Sequence, residues 1–234
     1  MSGHSKWANI KHRKGKQDAL KANAYTKLAN VIIVAARTNK GLDLAVERAK
    51  KANMTKDKID HAIKKGRGEI AGAEVEEIIY EAYGPEGIAI IIKVLTDNRN
   101  RALSSLRSIL NKYNGKLANA GAVSYLFEQK GVLEINLTNQ TLSREDLEMI
   151  IIDSGASDYE EDEGRLFVYA NPKKLEEVKK NIEFKTIKID NAKLEMVPKT
   201  YASISENKKE SLIKLLEELE EEQDIDEVYT NADL

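Results

Sequence analysis

Apolar residues recur along this chain with two different periods, which predict helices in its first third and mixed strands and helices afterwards. Over residues 17–38 the apolar positions are spaced by three or four, as on one face of an α-helix. Two further helices are predicted over 42–52 and 56–65, the second with Thr55 as N-cap and Gly66 as C-cap. Together these three short amphipathic helices predict a small bundle.

Short apolar runs separated by turn residues follow from residue 78 and predict strands. The predicted strands cover residues 78–83, 88–95, 123–128, 132–137, 159–162, 165–169, 186–189, 194–197 and 226–229. The helices predicted among them begin at Asp97 or Asn98, Ser143, Pro172 and Ser205, and end near residues 113, 153, 181 and 222. The later part has the order β-α-β-β-α-β, a split βαβ arrangement, so the chain is predicted to be α+β.

Charge is distributed unevenly along the chain, although the net charge is only -2. Residues 1–70 carry 17 Lys and Arg against 6 Asp and Glu, whereas residues 71–234 carry 20 against 33. This division predicts a cationic part for an anionic partner, joined to an acidic body.

The first sixteen residues are basic and contain no acid. Few of them are aliphatic, so this segment cannot bury enough apolar surface to fold alone. It is typical of an arm that lies along a phosphate backbone, with Trp7 as a ring that stacks or anchors. The candidate contacts in the arm are Lys6, Trp7, Lys11, His12, Arg13, Lys14 and Lys16, and those that extend the footprint are Lys21, Lys27, Lys64 and Lys65.

The segment from Thr96 to Arg101 allows two interpretations. In the first, Asp97 or Asn98 caps a helix, and the arginines are solvated in its first turn. In the second, Arg99 and Arg101 bind phosphate together with the free N–H groups of the helix start, because cations there otherwise oppose the helix dipole. Both interpretations stay open at this point.

Catalytic, metal and cofactor sites are not predicted. The absence of cysteine excludes disulfides and thiolate zinc sites, and no phosphate loop or dinucleotide fingerprint occurs. Glu160 to Glu163 lack the spacing of a calcium loop. The longest apolar runs, 31–36 and 88–92, are too short to cross a bilayer, and the N-terminus is too polar for a signal peptide, so we expect a cytoplasmic protein without a membrane partner.

Several motifs resemble the YebC/PmpR family in the family's own order. They are Gly3 to Lys14, Ala52 to Ile59, Ala62 to Gly66, Tyr80 to Pro85, Leu95 to Arg101 and Val228 to Asp233. Two features depart from the family pattern. The connection of residues 38–41 is shorter than usual, and Thr55 replaces the customary proline.

The resemblance implies an N-terminal helical domain followed by two α/β sandwich-like domains, the third inserted in the second. The expected limits are 1–16 for the arm, 17–74 for the helical domain, 75–130 plus 199–234 for the second domain and 131–198 for the inserted split βαβ domain.

The resemblance also implies a non-enzymatic regulator of gene expression. Family members are described mostly as probable transcriptional regulators that bind promoter DNA. Others act on the ribosome, as translational activators or in relieving stalling at proline-rich sequences. We therefore expect promoter DNA or ribosomal RNA as partner, in a protein assumed to be monomeric. An interaction module that binds protein through its acidic domains is the second class of function, and an enzyme the third.

Overall fold

The computed structural model describes residues 21–140, 142–162 and 164–234 of the chain. The first described elements are three helices, α1 (Lys21–Thr38), α2 (Leu42–Lys51) and α3 (Lys56–Gly66), which we call the helical unit. Ile32 and Ala49 are fully buried between these helices. All three predicted helices are confirmed, except that residues 17–20 of the first lie outside the described residues.

Gly66 is the last residue of α3, and its role differs from the predicted one, because the C-cap position belongs to Arg67. A Cβ atom at Gly66 would lie 2.3 Å from the carbonyl oxygen of Ile33 and 2.8 Å from the Cβ of Ala36. These two residues are in α1. The glycine is therefore required by the close approach of α3 to α1.

Gly66→Ala is expected to lower the free energy of unfolding by about 2 kcal/mol, because the new methyl group overlaps backbone that cannot move freely. This loss opposes the intrinsic preference of helices for alanine over glycine, which is worth about 1 kcal/mol. Urea unfolding measures it. Gly72→Ala is the matched control, since its nearest neighbour is the flexible Lys65 side chain at 3.1 Å. Equal stability of the two variants would contradict the close approach.

The strands and the remaining helices follow in alternation. The strands are β1 (Glu76–Tyr83), β2 (Ala89–Thr96), β3 (Lys116–Leu117), β4 (Phe127–Asn136), β5 (Asp158–Asp162), β6 (Arg165–Ala170), β7 (Asn191–Pro198), β8 (Ala202–Ser203), β9 (Ile225–Thr230) and β10 (Ala232–Asp233). The helices are α4 (Arg99–Lys112), α5 (Arg144–Asp153), α6 (Leu175–Phe184) and α7 (Glu206–Glu221).

The first sheet has the order β3-β1-β2-β9, and its neighbouring strands are antiparallel. Helices α4 and α7 pack on one face, where Leu106 and Leu215 are fully buried. Ile91 on β2 faces the opposite side and packs with Phe127 and Tyr229. Strand β2 is therefore buried on both faces, as its continuous apolar run predicts.

The second sheet has the order β5-β6-β4-β7, again with antiparallel neighbours. Helices α5 and α6 supply Ile151 and Ile182 to the core on one of its faces. This order confirms the predicted split βαβ arrangement and, with the helical unit, the α+β fold class. The domain limits stay a prediction, and β4 continues through the limit expected between residues 130 and 131.

Two strand predictions were wrong. The strands predicted at 123–128 and 132–137 are one strand, β4, which is preceded by a 3-10 turn over Ser124–Leu126. Gly131 lies inside this strand and lets it approach Leu175, whose side chain lies 3.0 Å from where a Cβ would stand. The segment 186–189 is not a strand. The side chains of Ile187 and Ile189 are buried and alternate with polar residues as in a strand, but this segment does not pair with a sheet.

The carboxylate of Glu81 on β1 organises the loop before β4. It is buried and accepts hydrogen bonds from the backbone N–H groups of Gly121, Val123 and Ser124, at 2.7, 2.6 and 2.9 Å. Burial opposes its ionisation, but these N–H groups outweigh burial and lower the pKa of Glu81 below its ordinary value.

Glu81→Gln is expected to cost about 2 kcal/mol of stability at pH 7, because the amide group offers a weaker acceptor and adds N–H donors facing N–H donors. The pKa of Glu81 is lower in the folded protein than in the unfolded chain. At pH values above the unfolded-state pKa the ionised carboxylate therefore stabilises the fold, and this stabilisation is lost as the pH falls through the folded-state pKa. Urea unfolding should therefore show a difference between wild type and variant that narrows from about pH 5 to pH 3. Glu77→Gln on the same strand is the exposed control, and a pH-independent difference at Glu81 would contradict the assignment.

Candidate nucleic-acid interface

The seven candidate residues of the basic arm lie outside the described residues. They are Lys6, Trp7, Lys11, His12, Arg13, Lys14 and Lys16. Lys21 is the first residue of α1, and its side chain is not described. The remaining candidates are Lys27, Lys64, Lys65, Arg99 and Arg101, and their surroundings differ.

Lys27 is used within the protein. Its ammonium group donates a hydrogen bond to the backbone carbonyl of Glu220 near the end of α7. The last carbonyls of a helix carry partial negative charge, so a cation is favourable there. Lys27 thus joins the helical unit to the first sheet's covering helix.

Arg101 is also held by acidic groups of the protein. Its Nε atom donates to Oδ2 of Asp224 at 2.8 Å, and one terminal nitrogen donates to Oδ1 of Asp224 at 2.6 Å. The same nitrogen lies 3.0 Å from Asp97. The hydrogen bonds to Asp224 and then Asp97 raise the pKa of the guanidinium. Asn98 caps the helix by accepting from the Arg101 N–H at 3.0 Å, which confirms one of the two predicted N-caps.

Arg99 remains exposed. It forms an ion pair with the exposed Glu76 at 3.3 Å. Of the two arginines, the structure therefore favours a structural role for Arg101 and leaves Arg99 accessible at the start of α4.

Lys64 and Lys65 project from different sides of α3, because adjacent residues of an α-helix are about 100° apart. Lys64 is exposed. Lys65 is half-buried and lies along a groove of about 850 Å³ between α1 and α3. The two neighbours in sequence are thus not parts of one contact.

The groove also contains residues that the sequence analysis did not single out as contacts. Lys58 and His61 line it together with Lys65, at helical spacing on one face of α3. Tyr25 of α1 lines the same groove, and the Lys58 ammonium lies 5.1 Å from its ring centroid. The spacing of 58, 61 and 65 was visible in the sequence, but the packing of Tyr25 against this row was not.

Many of the basic residues in the helical unit have no acidic partner within 4.0 Å among the described residues. They are Lys40, Lys50, Lys56, Lys58, Lys64, Lys65 and Arg67, which we call the unpaired basic residues. All are exposed except the half-buried Lys65. Because acids are scarce in this unit, its positive charge is presented to solvent instead of being neutralised.

A second cavity, of about 650 Å³, lies where the helical unit meets both sheets. Here the charges neutralise one another. Arg48 of α2 lies 3.6 Å from Glu227, and Lys193 lies 3.0 Å from Glu227 and 2.9 Å from Glu195. Burial alone would lower the pKa of Lys193, but Glu195 and Glu227 raise it, so the lysine stays charged. We assign these ion pairs the role of holding the units together.

Two family models match the chain almost completely. The model described as "TACO1/YebC protein N-terminal domain" matches residues 5–69, and that described as "TACO1/YebC second and third domain" matches residues 75–232. The chain belongs to the TACO1/YebC family. The resemblance found in the sequence is thereby confirmed.

Relatives of this TACO1/YebC protein match along their whole length. Proteins named "probable transcriptional regulatory protein" from Caldanaerobacter subterraneus and Thermotoga maritima are 43% and 44% identical, cover 100% of this chain, and are themselves covered over 99% and 94%. A solved structure of a conserved hypothetical protein from Aquifex aeolicus is 40% identical, with a TM-score of 0.86, over 94% of this chain and 93% of that one. Relatives in this family are thus named as regulators of transcription.

Two features are absent from the described part of this TACO1/YebC chain. None of its helices is long and apolar enough to cross a bilayer. In the same residues, no three His, Asp or Glu side chains are grouped so that they can hold a metal ion. Of the acidic run in β5, Glu161 pairs with Arg144 at 2.6 Å, and Glu160 accepts a hydrogen bond from Tyr169.

Proposed function

We propose that this protein is a non-enzymatic regulator of gene expression that acts by binding nucleic acid through its N-terminal part. The observation that carries the proposal is the set of unpaired basic residues on the helical unit. Phosphate groups attract such residues and release counterions when they bind. The basic arm, which directly precedes α1 in the sequence, adds further positive charge.

Two classes of target fit this charge. The names of the relatives favour promoter DNA. The composition of α3 favours structured RNA, such as that of the ribosome. Its exposed positions carry Lys, Asp and His. Lysine can read guanine, but α3 has no Arg and none of the Asn and Gln side chains that read adenine in the major groove. Contact with phosphate and shape, as in RNA recognition, needs no such side chains.

Competition binding tests the proposal with the full chain at physiological salt. A labelled duplex that contains promoter sequence is bound first, and purified ribosomes or unlabelled duplexes of unrelated sequence are then added. If ribosomes displace the labelled duplex from the protein, and the protein binds promoter and unrelated duplexes equally, the ribosomal role is supported. Retention of the promoter duplex over unrelated DNA supports transcriptional control. Absence of binding to duplex and ribosome alike overturns the proposal.

A further inference from the structure

We propose that the groove between α1 and α3 binds one nucleotide of a single-stranded nucleic acid, with the base inside the groove and the adjacent phosphates on Lys58 and Lys65. This inference rests on the proposed function and assigns it a specific site. The occupant follows from three properties of the groove: its unpaired cations, its apolar floor and its size.

Two lysines and a histidine form a row along one edge. Lys58, His61 and Lys65 are separated by three and four residues, so they follow one another over about 10 Å of α3. Neither lysine has an acidic partner within 4.0 Å among the described residues, so a phosphate does not have to displace one. The Tyr25 ring holds the Lys58 ammonium at the rim of the groove, which reduces the freedom lost when it binds phosphate. The row therefore matches a polyanion that follows the helix.

The floor of the groove is apolar. The buried residues that line it are Ile33, Met54 and Ala62, and Ala29 and Tyr25 add apolar surface beside the polar Thr26 and Asn30. A flat nucleobase buries one of its faces against such a surface, and contact with an aromatic side chain such as Tyr25 adds affinity for any of the bases. The volume of about 850 Å³ is within the range of small-molecule sites, so a base and its sugar fit without a change in the fold.

A single strand fits this groove better than a duplex. Bases in a duplex are paired and stacked, so they do not enter a side groove without being flipped out. In addition, Asp57 lies at the rim, one helical turn before His61, and repels a second phosphate backbone on that side.

The test is fluorescence anisotropy with the full chain, a labelled oligoadenylate of about twelve nucleotides and a duplex of the same length. Lys58→Gln and Lys65→Gln are each expected to weaken binding of the single strand about fivefold at 0.1 M salt and to reduce the salt slope by about 0.7. Lys173→Gln makes the same change of charge at an exposed residue outside the helical unit, and should alter the affinity less than about twofold.

Ala29→Leu fills the groove without changing charge. It is expected to weaken binding of the single strand by about tenfold, through loss of the base contact, while leaving duplex affinity and salt slope unchanged. Circular dichroism and thermal unfolding establish that this variant is folded, and the two lysine variants test the site independently if it is not.

The outcomes separate the inference from the function on which it rests. If the wild type binds the single strand and all three groove variants bind it as tightly as Lys173→Gln does, the groove is not the binding site. The proposed function is then unaffected. Equal losses for Lys64→Gln and Lys65→Gln also overturn the groove, since they indicate a diffuse cationic surface. A free mononucleotide that binds as tightly as the oligonucleotide overturns the assignment to a strand. Wild-type protein that binds no nucleic acid overturns the proposed function itself.

Discussion

Replacement of Lys6, Lys11, Arg13, Lys14 and Lys16 by glutamine is expected to weaken nucleic-acid binding about 10⁴-fold at 0.1 M salt. The binding constant falls with salt concentration to the power of about 0.9 for each phosphate neutralised on a duplex. Each lost contact therefore lowers the binding constant about eightfold at 0.1 M salt, relative to its effect at 1 M salt. Five such residues in an acid-free segment make this the largest effect on binding that the chain offers.

A salt titration of the affinity is the decisive measurement. The wild-type logarithmic slope should be about -4 to -7, and the variant slope should be smaller in magnitude by about four. The matched control replaces Lys173, Lys174, Lys180, Lys185 and Lys188 by glutamine, which changes the charge equally on the acidic part. Unchanged affinity of the arm variant for every DNA and RNA tested would show that the arm does not carry binding.

Arg101→Gln is expected to lower the free energy of unfolding by about 3 kcal/mol. The side chain of Asp224 is only 2% exposed, so without the guanidinium its charge is left buried and unpaired. The pair joins the first turn of α4 to the turn before β9, where the backbone carbonyl of Asp224 also accepts from Leu95 at 2.8 Å. The free energy of unfolding of Arg101→Lys should lie between those of the wild type and Arg101→Gln, because an ammonium keeps the charge but not the two parallel hydrogen bonds.

Urea unfolding midpoints at pH 7 measure this loss. Arg99→Gln, two residues away, is the control and should change stability by less than about 0.5 kcal/mol, since Arg99 and Glu76 are both exposed. If Arg101→Gln unfolds like the wild type but binds nucleic acid more weakly, Arg101 is a ligand contact and its structural role is wrong.

The α-helices and their N-caps follow from local sequence, because their hydrogen bonds and caps connect residues three or four positions apart. Asn98 and Ser143 accept hydrogen bonds at the predicted helix starts. The strands were predicted less well at Ile187 and Ile189, where burial alone gave the pattern of a strand, and at residues 129–131, where one continuous strand was predicted as two.

For the candidate nucleic-acid contacts, too, one part was predictable from the sequence and another depended on the tertiary structure. Charge and its uneven distribution are properties of composition, so the sequence identified the cationic part of the chain. Whether a given cation is available depends on partners distant in sequence: Arg101 meets Asp224, and Lys27 meets the carbonyl of Glu220. No local sequence pattern predicts such a contact between residues that are distant in sequence.

From its own pattern the chain sets its α+β class, the split βαβ order, the helix N-caps and the position of its positive charge, because these depend on neighbours along the backbone. Folding sets which cations stay unpaired, why α3 ends in Gly66, and where Tyr25 faces Lys58 and Lys65 across a groove. These features arise where side chains far apart in sequence compete for the same space and the same charges.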